Sequence, residues 1–147
     1  MEWANEDFSI TTDKSKIDIS YVHRILSNSY WSENIPFAIV QRSITGSLCF
    51  ALFFQQKQIG FARVISDEAT FAYLADVFID PDFQGKGLSK WLIKTIMDYP
   101  SLQGLRRILL ATRDAHGLYR QFGFTPLSSP ERWMQVHNPD VYKRDDS

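Results

Sequence analysis

Apolar positions in this chain run in two periods. Residues 47–55, 58–66 and 71–79 are rich in Phe, Leu, Ile and Val, and the last run is almost uninterrupted, the pattern of a strand covered on both faces. The short polar link at Gln55-Gln56-Lys57-Gln58 predicts a hairpin between the first two runs, and Asp67-Glu68-Ala69 predicts the turn into the third. Helical spacing appears at Ile19, Val22, His23, Ile25 and Leu26, with Asp18 or Ser20 available to cap, and Pro36 suits the start of a second short helix through Arg42. Helical spacing returns at Leu88, Trp91, Leu92, Thr95 and Ile96, in a helix closing near Asp98-Tyr99-Pro100, and Gly104 marks a loop before a buried strand at 107–112. A short first strand is expected at 8–12. Asp114 is expected to cap a helix over 115–122 that ends at Gly123, followed by closing strands at 124–127 and 132–136. Together these elements predict a mixed α/β (α+β) sheet, antiparallel in its N-terminal half and joined to a right-handed parallel crossover, with flanking helices.

At 147 residues the chain fits one domain, spanning 1–147, with flexible ends expected at 1–6 and 143–147. A net charge of −1 and the lack of a concentrated basic stripe argue against a nucleic-acid partner. No apolar run approaches the ~18 residues of a membrane span and the first residues are acidic, so no membrane partner and a cytoplasmic location are expected. The lone Cys49 sits in an apolar run and is read as a buried small hydrophobe.

Between the run at 71–79 and the helix that follows lies Gln84-Gly85-Lys86-Gly87-Leu88-Ser89. Two glycines permit a sharp turn and a close approach to a ligand, and a helix start aims unpaired N–H groups outward, the makings of an anion site suited to phosphate. This segment resembles the acetyl-CoA-binding motif Q/R-x-x-G-x-G/A of the GNAT N-acetyltransferases. Asp114-Ala115-His116-Gly117-Leu118-Tyr119-Arg120-Gln121-Phe122-Gly123-Phe124 resembles the second motif of that superfamily, an alanine followed by Leu-Tyr-x-x-x-Gly-Phe. Order and separation of the motifs match as well, and the resemblance covers essentially the whole chain. A dinucleotide fold fits poorly, because its glycine turn follows the first strand of a βαβ unit and reads G-x-G-x-x-G.

The resemblance implies a sheet that splays open beside 71–79, and acetyl-CoA as co-substrate without a metal. It places the pyrophosphate on the amides of Gly85, Lys86, Gly87, Leu88 and Ser89 behind Gln84, and the pantetheine arm along Val77, Phe78 and Ile79. Two departures stand out: Ser89 replaces a Gly or Ala, and Thr112 stands where many members carry an Asn facing the pantetheine. Lys86, Lys90 and Arg120 are candidates for CoA phosphates, or simply solvated cations.

Acetyl transfer from a thioester to an amine needs a free-base nucleophile, a stabilised oxyanion and a proton for the departing thiolate. Tyr119 is the candidate acid, as in the family. Asp76 interrupts an apolar strand and is the first candidate base, with a structural ion pair to Arg63 or Arg113 as the alternative. His116, one helical turn before Tyr119, is the second. By the family's layout Tyr30, Trp31, Glu33, Phe37 and Trp133 lie near the acceptor, where aromatics and a carboxylate suit a cationic amine. The expected activity is transfer of an acetyl group from acetyl-CoA to a primary amine of a small molecule. Acetylation of a peptide and a non-catalytic acyl-CoA-binding module are the alternatives, and the protein is expected as monomer or homodimer.

Overall fold

The computed structural model describes residues 1–143. Six strands form one sheet in the order of the chain: β1 (Glu2–Asn5), β2 (Phe8–Thr11), β3 (Leu48–Phe54), β4 (Lys57–Ser66), β5 (Phe71–Ile79) and β6 (Arg107–Leu109). All neighbours pair antiparallel except β5 and β6, which are parallel and joined through helix α3 (Leu88–Met97). Helices α1 (Ile19–Ser27) and α2 (Phe37–Thr45) connect β2 to β3, and α4 (His116–Arg120) follows β6.

Alternation along the strands separates two apolar cores. Phe50, Leu52, Ala62, Val64, Ala72 and Leu74 pack with Leu88, Leu92, Ile93 and Ile96 of α3 and with Tyr119 of α4. Cys49, Ala51, Phe61 and Phe78 pack with Val22, Leu26, Val40 and Ile44 of α1 and α2. Cys49 is fully buried, and burial pushes its thiol up to about 11, so it fills space and is a poor nucleophile.

Local chemistry accounts for the helix starts. The Asp18 carboxylate accepts from Tyr21 N at 3.0 Å, and Pro36 precedes α2 as expected, although that helix runs on to Thr45. At α4 the expected cap is wrong: Ala115 occupies the cap position with no side-chain cap, and its N–H donates to Thr112 Oγ1 at 3.1 Å in the turn that leads into the helix. Past α4, Gly123 adopts φ +89° and turns Phe124 back, edge-on to Tyr119 with ring centroids 5.7 Å apart.

The expectations for the N-terminal end and for the closing strands need correction. Residues 1–6 are not loose: β1 pairs with β2 through a turn at Glu6, whose φ is +55°, and Trp3 lies 6.3 Å from the Phe50 ring and 6.1 Å from that of Tyr99. One inward Trp among polar neighbours is too short a pattern to read as a strand. The closing strands at 124–127 and 132–136 do not form. Pro126 and Pro130 remove main-chain donors there, and every residue from 131 to 140 is exposed, leaving no apolar face for a strand to bury. The end expected to be loose at 143–147 lies outside the described residues beyond Lys143. Among the described residues no helix is long and apolar enough to cross a membrane.

Candidate active site

Strand β5 changes character halfway along. Its pairing with β6 stops at Tyr73 opposite Leu109, so from Leu74 onward that edge of β5 has no strand partner among the described residues. The other edge is irregular as well: the register with β4 shifts between Phe61 and Arg63, and neither Asp76 nor Val77 has a register partner there. Asp76 carries the distortion, with φ +55° in the left-handed region. Ala72 and Leu74 face the α3 core, but after the bulge Phe78 faces the α1–α2 core while Val77 and Ile79 pack on the α3 side. One extra residue therefore exchanges the two faces, and it turns a carboxylate that would have entered apolar packing toward Arg63.

The β5–α3 connection closes the other side. A 3-10 turn at Pro81–Phe83 is capped by Asp80, whose Oδ1 accepts from Asp82 N at 3.0 Å, while the Tyr21 hydroxyl donates to Asp80 Oδ2 at 3.0 Å and anchors the connection to α1. Burial, and then that carboxylate, push the Tyr21 phenol well above its ordinary value. Gly85 and Gly87 have φ +81° and +77°, values costly for any side chain, and Gly87 caps α3 with no side-chain acceptor on its N–H groups. The first amides of α3 therefore remain available to an anion. Gln84 does not point its amide to such a ligand: it donates to Ile79 O at 3.1 Å and ties the loop to the end of β5.

A cleft of ≈ 430 Å³ lies where these parts meet. It is lined by Val77, Phe78 and Ile79 from β5, by Gln84, Gly85, Gly87, Leu88 and Ser89 from the loop and α3, and by Trp31 and Tyr119. Phe83, together with Ala115 and Leu118 of the second motif, none of which was given a site role from the sequence, completes it. Tyr119 is buried, and burial first, then the neighbouring Tyr30, hold its phenol above the ordinary range, so it is protonated at neutral pH.

A second, larger concavity of ≈ 1210 Å³ lies along β6, α4 and the C-terminal segment and shares Tyr119 with the cleft. Thr112, His116 and Trp133 line this groove and not the cleft. Trp133 stacks under Arg107, whose Cζ lies 4.8 Å from the ring. Among the expected acceptor residues only Trp31 reaches the cleft. Tyr30 packs edge-on to Trp31 at 5.1 Å and under Arg113 at 3.8 Å, whereas Phe37 sits edge-on to His23 at 5.5 Å, and Glu33 and Phe37 lie outside both concavities. Lys86 and Lys90 are exposed and line neither.

Asp76 makes the ion pair with Arg63 that was expected as the alternative to a base role. Arg63 Nε donates to Oδ2 at 2.8 Å, and Trp31 Nε1 donates to Oδ1 at 3.0 Å. Both carboxylate oxygens are thus engaged in hydrogen bonds. Nothing in the sequence paired Trp31 with Asp76, 45 residues apart; only the bulge brings them together.

A family model described as the acetyltransferase (GNAT) family matches residues 19–124. A solved structure from Xanthomonas campestris pv. campestris, of a protein assigned as an acetyltransferase of the GNAT family, is 51% identical, with a TM-score of 0.91 over 93% of this chain and 97% of that one. A protein of Gibberella zeae named as an acetyltransferase candidate is 28% identical over 140 residues, covering 80% of this chain and 78% of its own. An acetyltransferase candidate from Clostridium acetobutylicum, solved with acetyl-CoA, shares the fold at 15% identity and a TM-score of 0.65, over 93% of this chain and 96% of that one.

Proposed function

This chain belongs to the GNAT family of acetyltransferases, and we propose that it moves the acetyl group of acetyl-CoA directly to a primary amine of a small molecule, using the cleft beside β5. One observation carries this reading: the unpaired edge of β5, the amide-lined start of α3 and the buried Tyr119 all line the same cleft. The residues fit the co-substrate. Unpartnered amides at Gly87, Leu88 and Ser89 suit a pyrophosphate, and the Val77 main chain, without a register partner, suits an extended amide-bearing arm. Lys86 and Lys90, exposed beside the helix start, remain available to its phosphates.

In the reaction, the unprotonated amine attacks the acetyl carbonyl carbon, a C–N bond forms and the C–S bond breaks. Tyr119 supplies the proton that the departing sulfur takes, and its raised phenol pKa keeps that proton in place at neutral pH. The proton lost by the amine passes to water or to His116, exposed one turn before Tyr119 on α4. Replacing His116 by Ala removes the acid-side limb of the pH profile only if the imidazole is the acceptor.

The large groove supports a second reading, in which the amine belongs to a peptide. It is open and meets the cleft at Tyr119. Thermal shift with acetyl-CoA, then free-thiol release across a panel of small amines and peptides, separates the two. Stabilisation with turnover on small amines supports the first reading, turnover on peptides alone supports the second, and no stabilisation by acetyl-CoA contradicts both.

A further inference from the structure

The α1–α2 loop reaches the cleft through Trp31, which packs edge-on to Tyr30, and each of these two rings is held by a group from elsewhere in the chain. Inside, the loop braces itself: Asn34 N donates to Ser27 O at 3.0 Å, and Ser32 N donates to Ser29 Oγ at 3.1 Å. Outside, Arg113 covers the Tyr30 ring and Asp76 accepts from the Trp31 indole. Asp76 is itself locked. Arg63, which pairs with it, also donates from Nη1 to Ser47 Oγ at 3.1 Å, and Ser47 Oγ donates to Ser43 O on α2 at 2.7 Å. The side chains of the Arg63–Asp76 pair are only 17% and 8% exposed, so the acceptor of the indole N–H sits in a rigid, mostly water-free frame. Trp31, by contrast, is 43% exposed and lines the cleft, so it has little packing of its own to hold it.

We propose that Asp76 is a positioning residue for the acceptor: the left-handed bulge aims its carboxylate at the Trp31 indole, and this hydrogen bond fixes residues 29–34 as the wall against which the amine is received. The assignment rests on the cleft being the acetyl-transfer site. It replaces a proton-acceptor role for Asp76 with a specificity role for the pair Asp76–Trp31, and it predicts selection by shape and by the aromatic face of Trp31, suited to a cationic or apolar amine.

The test is a double-mutant cycle. Trp31→Phe keeps a ring but loses the N–H, and Asp76→Ala loses the acceptor. Each is expected to raise the acceptor KM about tenfold while kcat and the acetyl-CoA KM stay within about threefold, and the double variant is expected to match the larger single effect. Asp76→Asn keeps an oxygen for the indole but cannot serve as a base, so it is expected to hold kcat near the parent value; a loss of about 100-fold with a vanished acid-side limb assigns Asp76 as the base and overturns the proposal. Effects that multiply in the double variant overturn it as well. Asp76→Ala strips Arg63 of its partner and risks misfolding, whereas Trp31→Phe touches an exposed side chain and is safe. Amide hydrogen exchange over residues 29–35 in the protein without substrate gives a readout independent of the reaction. Exchange about tenfold faster in Trp31→Phe supports the tether even if no acceptor is found, and unchanged exchange contradicts it.

Discussion

Two concavities among the described residues meet at Tyr119 and differ in size, charge and construction. The groove is about three times the larger; its lining includes Arg106, Arg107 and Arg120 and no carboxylate, and one wall is a C-terminal segment without regular structure. The cleft has no charged side chain in its lining, but it is built on β5, α3 and α4, with main-chain groups left without partners along the β5 edge and at the α3 start. Size and net positive charge favour the groove for an anionic ligand; preorganised backbone favours the cleft. For a ligand with a pyrophosphate and a peptide-like arm, fixed amides outweigh exposed guanidinium groups, because the latter are solvated and must be ordered on binding.

The comparison breaks most easily at the shared residue. Tyr119→Phe removes the proton donor and little else, and kcat is expected to fall about 100-fold with the acetyl-CoA KM changed less than about threefold. In the parent enzyme the raised phenol pKa has a definite sign: the acid form is lost only as pH rises through that value, so the alkaline limb of kcat lies above the ordinary tyrosine value of about 10 and is absent in Tyr119→Phe. An unchanged kcat in this variant removes Tyr119 from the chemistry.

Next in size is the backbone of the loop. Gly87→Ala forces a side chain into φ +77°, at a cost of about 1–2 kcal/mol, and the expected consequence is an acetyl-CoA KM raised about tenfold with kcat nearly constant. Smaller again is Arg113→Ala, which uncovers Tyr30. The loss of one cation–π contact, about 1 kcal/mol, is expected to raise the acceptor KM about fivefold. Smallest is a change on the groove wall: Met134, 97% exposed, tolerates Met134→Ser with small-amine turnover expected within about twofold, and a larger loss moves the acceptor to the groove.

Much of the cleft was legible because local patterns specify it. The β3–β4 hairpin, the β5 run, the glycine turn and α3 each follow from short-range spacing, and Gly123 after Tyr119 announces the end of α4. What was not legible depends on long-range geometry. Asp76 reads as a carboxylate in an apolar strand with Arg63 or Arg113 as its candidate partner, and Arg63 is the one it pairs with; its bulge, its change of face and its contact with Trp31 exist only once β4 and the α1–α2 loop are in place. Nor was it legible that the Thr112 hydroxyl accepts from Ala115 N in the turn into α4. The C-terminal strands failed for the opposite reason: strand-like residues are present, but no surface in the described chain buries them.

The central claim is that acetyl-CoA is gripped at the start of α3 and not in the basic groove, and a pair of charge reversals tests it directly by calorimetric titration of acetyl-CoA. Ser89→Glu places a carboxylate in the first turn of α3, in the cleft lining, and Arg107→Glu places one in the groove. Affinity is expected to fall at least about tenfold in Ser89→Glu and less than about twofold in Arg107→Glu. The reverse order, with the groove variant losing binding and the helix-start variant retaining it, contradicts the account.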